Sequence, residues 1–198
     1  MDPAFPKNLP QDSALLIVDL QNDFLPGGAL AVADGNHAAF ACRRYLDMFA
    51  AQAKPIYLSR DWHPPLHYSF VKQGGAWPAH CVVDTQGACF ASVLNIPQNA
   101  VIISKGTSEN KDAYSAFNGT DLDARLKTTK IHHLFVCGLA TDYCVRATAL
   151  DARHLGYEVT VLRDAIAAVN VNVDDGERAL QEMRQAGCII DGFDFERI

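Results

Sequence analysis

No stretch of this chain is apolar for the roughly 18 residues that a membrane-spanning helix needs. Its start, MDPAFPKNLPQDS, lacks the basic opening and apolar core of a signal peptide. No run of five or more basic residues occurs, and the formal net charge is -6. That leaves no basic surface for nucleic acid or for an anionic membrane. The glycines, including those of QNDFLPGG (21–28), follow neither G-x-G-x-x-G nor G-x-x-x-x-G-K order. A nucleotide-phosphate cradle is therefore not supported. The cysteines (Cys42, Cys81, Cys89, Cys137, Cys144 and Cys188) include no Cys-x-x-Cys pair. In a chain this long and apolar, without a secretory signal, the thiols are expected to be reduced and the protein cytoplasmic.

What is present suits one domain. Hydrophobic residues make up 49% of the 198 positions and charged residues 20%, enough apolar side chain for a full core. Residues 1–12 read as a flexible N-terminal extension and 13–198 as the folded domain. Six short apolar runs read as buried strands: ALLIVD (14–19), PIYLSRD (55–61), AVIISKG (100–106), HHLFVCG (132–138), YEVTVLRD (157–164) and GCIID (187–191). They are continuous rather than alternating, the mark of parallel strands covered on both faces. Helical segments fall between them, at about 35–52, 121–127, 145–155 and 174–186. The last two each end at a glycine, Gly156 and Gly187. The expectation is an α/β fold: a single doubly wound domain with a mostly parallel sheet of about six strands and helices on both faces. Two long loops, 61–99 and 106–120, break the alternation, and loops of that length are usually functional.

In such a sheet ligands bind beyond the carboxyl ends of the strands. Sorted by that rule, Asp19, Asp61 with His63, Lys105 and the turn CGLATDYC (137–144) converge on one edge. Cys144 is expected in the first turn of a helix capped by Thr141 or Asp142. Backbone N–H groups there favour a thiolate and can hold an oxyanion. Two readings stand for it, a nucleophile or a buried core thiol. Lys105 at a buried strand end needs a partner, and Asp19 is the natural one. The pair is either the acid–base partner of the thiol or a plain structural ion pair. Asp61 and His63 project to one side of an extended segment. With a further imidazole from the long loop, where His67 and His80 lie, they form an N/O set suited to zinc, manganese or iron. The competing reading is a group of exposed loop histidines. Phe24, Trp62, Tyr68, Phe70, Trp77, Tyr114 and Phe117 can each wall an apolar pocket or sit in the core.

Four segments together resemble the nicotinamidases (the pyrazinamidase/nicotinamidase group) of the isochorismatase-like cysteine hydrolases. They are ALLIVDLQNDFLPGGALAV (14–32), SRDWHPPLHYSF with GGAWPAHCV (59–82), ISKGTSENKDAYSAF (103–117) and VCGLATDYCVRATALDA (136–152). The resemblance implies a catalytic triad of Asp19, Lys105 and Cys144. It implies a divalent metal, most often zinc, on Asp61, His63 and His80, with Mn2+ or Fe2+ as alternatives and no organic cofactor. It further implies Phe24 and Trp77 on either side of a pyridine ring, an oxyanion hole from the backbone N–H groups of Ala140 and Cys144, and a cis peptide at Leu139–Ala140. His67 stands outside the implied metal set, being only four positions from His63. The implied activity is hydrolysis of nicotinamide to nicotinate and ammonia in NAD salvage, and the implied partners are that small molecule and, as in many relatives, further copies of the chain as a homo-oligomer. A sibling small-amide hydrolase, a non-catalytic metal- or ligand-binding module and a Cys137–Cys144 redox sensor are the alternatives.

Overall fold

The computed structural model describes residues 8–192. Its strands are β1 (Ser13–Val18), β2 (Ile56–Asp61), β3 (Val101–Lys105), β4 (His133–Leu139), β5 (Glu158–Ala167) and β6 (Ile189–Asp191). Its α-helices are α1 (Gly35–Ala51), α2 (Leu122–Thr128), α3 (Arg146–His154) and α4 (Asp175–Gln185). The strands form one sheet in the order β3-β2-β1-β4-β5-β6, and every neighbouring pair is parallel.

Period-two alternation exists in these strands but is hidden, because both faces are covered. Leu15 and Ile17 enter one core, with Ala38, Tyr45 and Phe49 of α1. Ala14, Leu16 and Val18 enter the other, with Leu126 of α2, Ala149 of α3 and Met183 of α4. All six residues of β1 are buried. No helix among the described residues is long and apolar enough to cross a membrane.

The order of elements follows the expected one. The largest boundary difference is β5, which runs three residues beyond Asp164 and re-pairs with β4 past an irregularity between Val136 and Gly138. Of the expected 1–12 extension, residues 1–7 lie outside the described residues. Within 8–12 the chain is held down: Leu9 is buried, its N–H donates to Gln52 Oε1 at 3.0 Å, and Lys54 Nζ donates to the Pro10 carbonyl at 2.8 Å.

The connections reverse direction between β1 and β4, which opens a crevice beyond their carboxyl ends. Gly138 makes the close approach there. It adopts φ +113°, and a Cβ on it would lie 2.0 Å from the Val18 carbonyl oxygen. Cys137 and Cys144 fall on opposite faces of the sheet, one in each core. They cannot meet in a disulfide, which removes the redox-pair alternative.

Candidate active site

Strand ends supply the floor of the crevice. Asp19 follows β1 with φ +46°, a left-handed conformation that aspartate tolerates better than most residues. Ser59, fully buried on β2, donates from Oγ to Asp19 Oδ1 at 2.7 Å. Asp61 and Lys105 are direct neighbours in the register of β2 and β3. Lys105 Nζ therefore reaches Asp61 Oδ1 at 2.6 Å. It also reaches Asp19 Oδ2 at 2.8 Å, the Ala113 carbonyl at 2.8 Å and Cys144 Sγ at 3.4 Å. A carboxylate oxygen of Asp19, one of Asp61 and Cys144 Sγ lie within 4.8 Å of one another. Lys105 was expected to pair with Asp19; it binds both acids.

Charge and burial pull against each other here. Burial alone would neutralise Lys105, but Asp19 and Asp61 hold its ammonium pKa well above the ordinary value. Burial would raise Asp61 too, yet Lys105 and His63 hold its carboxyl below the usual carboxylate range. Asp19 goes the other way: burial raises it, and Lys105 only partly compensates. Its Oδ2 faces Lys105 outside hydrogen-bonding geometry, and it is the one buried side-chain oxygen or nitrogen without a hydrogen-bond partner among the described residues. The Asp19 carboxylate thus sits beside the thiol, with Oδ2 against the Lys105 ammonium at 2.8 Å.

The turn carrying Cys144 differs from the expected helix start. Residues Thr141–Val145 wind as a π-helical turn before α3, with no side-chain cap. Asp142 does not cap it. Its two carboxylate oxygens accept from the N–H groups of Val169 and Asn170, at 2.9 and 2.8 Å, and tie the loop after β5 to the turn. The Leu139–Ala140 peptide is cis, as the resemblance implied. The expected lowering of the thiol pKa is also reversed. Burial pushes Cys144 well above the ordinary thiol value; Lys105 opposes this, and Asp19 and Asp61 add to it. Burial thus favours the neutral thiol of Cys144.

The loops supply the other wall. His63 N–H donates to the Cys81 carbonyl at 3.0 Å, and Val83 N–H donates to the His63 carbonyl at 2.9 Å. This short parallel bridge brings His80 alongside His63, with ring centroids 5.0 Å apart. Asp23 Oδ2 accepts from Cys81 N–H at 2.7 Å and fixes the same turn. Gln21, fully buried, brackets Asp61: Oε1 accepts from its N–H and Nε2 donates to its carbonyl, each at 2.8 Å.

Asp61, His63 and His80 each offer a ligand atom within 4.8 Å of the others, and all three are buried. The donor set passes a stricter test. His63 Nδ1 lies 2.9 Å from the Gly106 carbonyl and His80 Nδ1 lies 2.8 Å from the Pro78 carbonyl. A carbonyl only accepts, so both Nδ1 atoms carry hydrogen and both Nε2 lone pairs are left to a metal when the rings are neutral. Burial favours the neutral ring of His80. For His63 burial acts the same way but is outweighed by Asp61. His67 has no lone pair to spare: Nδ1 lies 2.7 Å from Ser69 Oγ and Nε2 lies 3.0 Å from the Lys111 carbonyl. It packs against His63 instead, with the rings tilted by 30° and their centroids 4.2 Å apart. The residues present suit a three-ligand divalent site of N/O type.

Between these walls lies a small pocket beyond the carboxyl ends of the strands. Cys144, Asp61, His63 and His80 line it, with Phe24, Trp77, Tyr114 and Tyr143 as aromatic walls. Trp77 Nε1 donates to Tyr114 Oη at 3.1 Å, and its ring meets Tyr143 edge-on at 5.3 Å. Of the other candidate aromatics, Phe70 is core behind the histidines, Trp62 carries the Arg60 guanidinium 3.6 Å from its ring centre, Tyr68 is exposed, and Phe117 stacks on Tyr157 away from the pocket. Ser59, Gln21, Asp23 and Tyr143 were not among the expected site residues, and Asp142 was expected only as a cap. A polar residue inside an apolar strand was the available signal for Ser59, and the QND triplet two residues past Asp19, after β1, for Gln21 and Asp23.

A model of the isochorismatase domain matches residues 13–191. The nicotinamidase of Escherichia coli (strain K12) is 40% identical over 198 aligned residues, covering 89% of this chain and 93% of the relative. The crystal structure of the pyrazinamidase of Pyrococcus horikoshii in complex with zinc superposes with a TM-score of 0.88 at 47% identity, over 92% of this chain and 99% of that one. A protein of L. infantum solved in complex with nicotinate gives 0.85 at 33% identity, over 97% and 96%. This chain belongs to the isochorismatase-domain family.

Proposed function

We propose, from membership of that family and the content of the pocket, that this protein is a metal-assisted amidohydrolase converting nicotinamide to nicotinate and ammonia through a cysteine thioester. One observation carries the reading. Lys105 Nζ joins two sets at one site, Asp19 and Cys144 on one side and the Asp61–His63–His80 cluster on the other. A structural ion pair alone would need neither the thiol nor the imidazoles. The relatives' association with zinc and nicotinate supports the same assignment.

In this reading Phe24 and Trp77 hold the pyridine ring between them, and the carboxamide carbon lies over Cys144. Asp61, His63 and His80 would hold a divalent ion, zinc in the first instance, which when bound supplies a Lewis-acid anchor for the ring nitrogen. Asp19 takes the proton of the Cys144 thiol, for which its raised pKa suits it. The thiolate attacks the amide carbon, and the oxyanion is met by the backbone N–H groups of Ala140 and Cys144. Protonated Asp19 then gives its proton to the departing nitrogen, so ammonia leaves and the thioester remains. Asp19 next removes a proton from water, whose oxygen attacks the thioester. Collapse expels the Cys144 thiolate, which takes the proton back from Asp19, and the product acid loses its own proton to solvent and leaves as nicotinate. Lys105 keeps its proton throughout and fixes Asp19.

The test is ammonia release from nicotinamide by zinc-loaded protein, its Cys144→Ala variant and chelator-treated protein. Release by the parent, its loss in the variant, and its loss and zinc-restored return after chelation are expected. Metal binding without any release by the parent would leave the ligand-binding module in its place, and release only from other small amides would leave the sibling hydrolase.

A further inference from the structure

The reaction proposed above gives no task to His67 or Asp112, yet Asp112 lines the pocket and His67 is buried behind the same wall. Asp112 is half-buried and lines the pocket beside Tyr114 and Trp77. Its Oδ1 accepts from the Ala113 N–H at 3.0 Å. The peptides on either side are tied to buried side chains. His67 Nε2 donates to the Lys111 carbonyl at 3.0 Å, and Lys105 Nζ donates to the Ala113 carbonyl at 2.8 Å. His67 and Lys105 are almost fully buried. A carboxylate on a free loop would swing away from an approaching anion. One strapped at 111 and 113 stays where it is, and a fixed charge in a half-buried wall acts more strongly than one in open water.

The proposed substrate and product have the same shape and differ in charge: a neutral carboxamide enters and a carboxylate leaves. Ring contacts cannot tell them apart, so discrimination must come from an electrostatic element set against one of them. We propose that Asp112 is that element, a specificity-determining residue whose fixed charge disfavours anionic ligands, the enzyme's own product included, while sparing the neutral amide. His67 is then a positioning residue for the strap that carries Asp112. This rests on the nicotinamidase reading given above.

The experiment compares zinc-loaded parent, Asp112→Asn and Asp112→Glu. Asn keeps the oxygen that accepts from Ala113 N–H and removes only the charge. Nicotinate affinity is measured by calorimetry and KM for nicotinamide by ammonia release, both at low and high salt. Asp112→Asn should bind nicotinate about three- to tenfold more tightly, with KM changed less than about twofold. The gap between parent and Asn variant should narrow as salt rises, and Asp112→Glu should stay near the parent. Unchanged nicotinate affinity in Asp112→Asn, or an equal change in KM, overturns the proposal. A parent that releases no ammonia removes the premise instead, and the inference with it, so the two failures are told apart.

Discussion

Asp61 and Cys144 line the pocket, with Asp19 and Lys105 buried directly against them, all at or just beyond the carboxyl ends of four parallel strands, whereas Trp77, His80 and Tyr114 reach it from two long loops. The floor is placed by register: once β2 and β3 pair, Asp61 and Lys105 are neighbours without further help. The roof is placed residue by residue through hydrogen bonds, such as Cys81 N–H to Asp23 and Ala116 N–H to Thr148 Oγ1. The floor shares its stability with the whole sheet, and the roof depends on a few polar contacts. Damage to the floor should therefore be felt in folding and chemistry together. Damage to the roof should be felt mainly in ligand and metal binding.

The largest effect is expected at Lys105, the point where floor charges meet. Lys105→Met would leave Asp19 and Asp61 buried without their cation. Loss of one partner from a buried ion pair costs about 3–5 kcal/mol. Metal-free Lys105→Met should lose stability on that scale in denaturant unfolding, and its ammonia release should vanish. A variant as stable as the parent would show that the floor is not held by this lysine.

Asp19→Asn separates chemistry from folding on the same floor. Asn also tolerates the left-handed conformation at this position, and its side-chain oxygen can still accept from Ser59. The base is lost together with one of the two carboxylates that face Lys105, and Asp61 remains to hold the ammonium. The expected outcome is a fall in kcat of about 10²–10⁴-fold with unfolding little changed. Appreciable residual turnover would sink the role given to Asp19.

The two halves were also unequally legible in the sequence. Asp19, Asp61, Lys105 and Cys144 could be sorted to one edge because apolar runs mark strands, and strand ends mark the site. The partner of Lys105 was only half visible, since pairing register decides that Asp61 shares it. The thiol's direction of shift was misjudged because helix-start N–H groups show in sequence, whereas the burial and the two neighbouring carboxylates do not. The π-wound turn and the redirection of Asp142 to Val169 and Asn170 depend on contacts between distant segments. On the roof, motif resemblance named His80 and Trp77, but nothing local in the sequence says which loop histidine keeps a lone pair. His67 and His80 are separated by their partners: two for the ring nitrogens of His67, and one, a carbonyl at Nδ1, for His80.

Gly106 sharpens the contrast from the roof side. Its carbonyl orients His63, its φ is +62°, and a Cβ there would lie 2.5 Å from His63 Cε1. Gly106→Ala should displace the imidazole while leaving the strands paired. Zinc affinity, measured against a competing chelator, should fall about 10–100-fold, as for other lost supports of ligating histidines. A fall in stability as large as that of Lys105→Met, with zinc affinity intact, would break the division between floor and roof.

The smallest effect is expected far from both walls, at Asp164 on β5. Burial raises its carboxyl above the ordinary value, and the hydroxyl of Tyr45, donating to Oδ1 at 2.7 Å, only partly offsets this. The folded state therefore holds this proton more tightly than the unfolded state. Its contribution to stability is fully present below the unfolded carboxylate pKa and is lost as pH rises through the folded value. Asp164→Asn keeps an acceptor for Tyr45 and carries no titrating group. Its advantage in melting temperature over the parent should be absent near about pH 4 and grow toward about pH 7. Nicotinamide turnover should be unchanged throughout, because the residue lies outside the pocket lining. A pH-independent difference would mean that the substitution acts through packing against Tyr45 rather than through the proton. A loss of turnover at constant stability would carry the influence of β5 into the site through the loop that Asp142 holds.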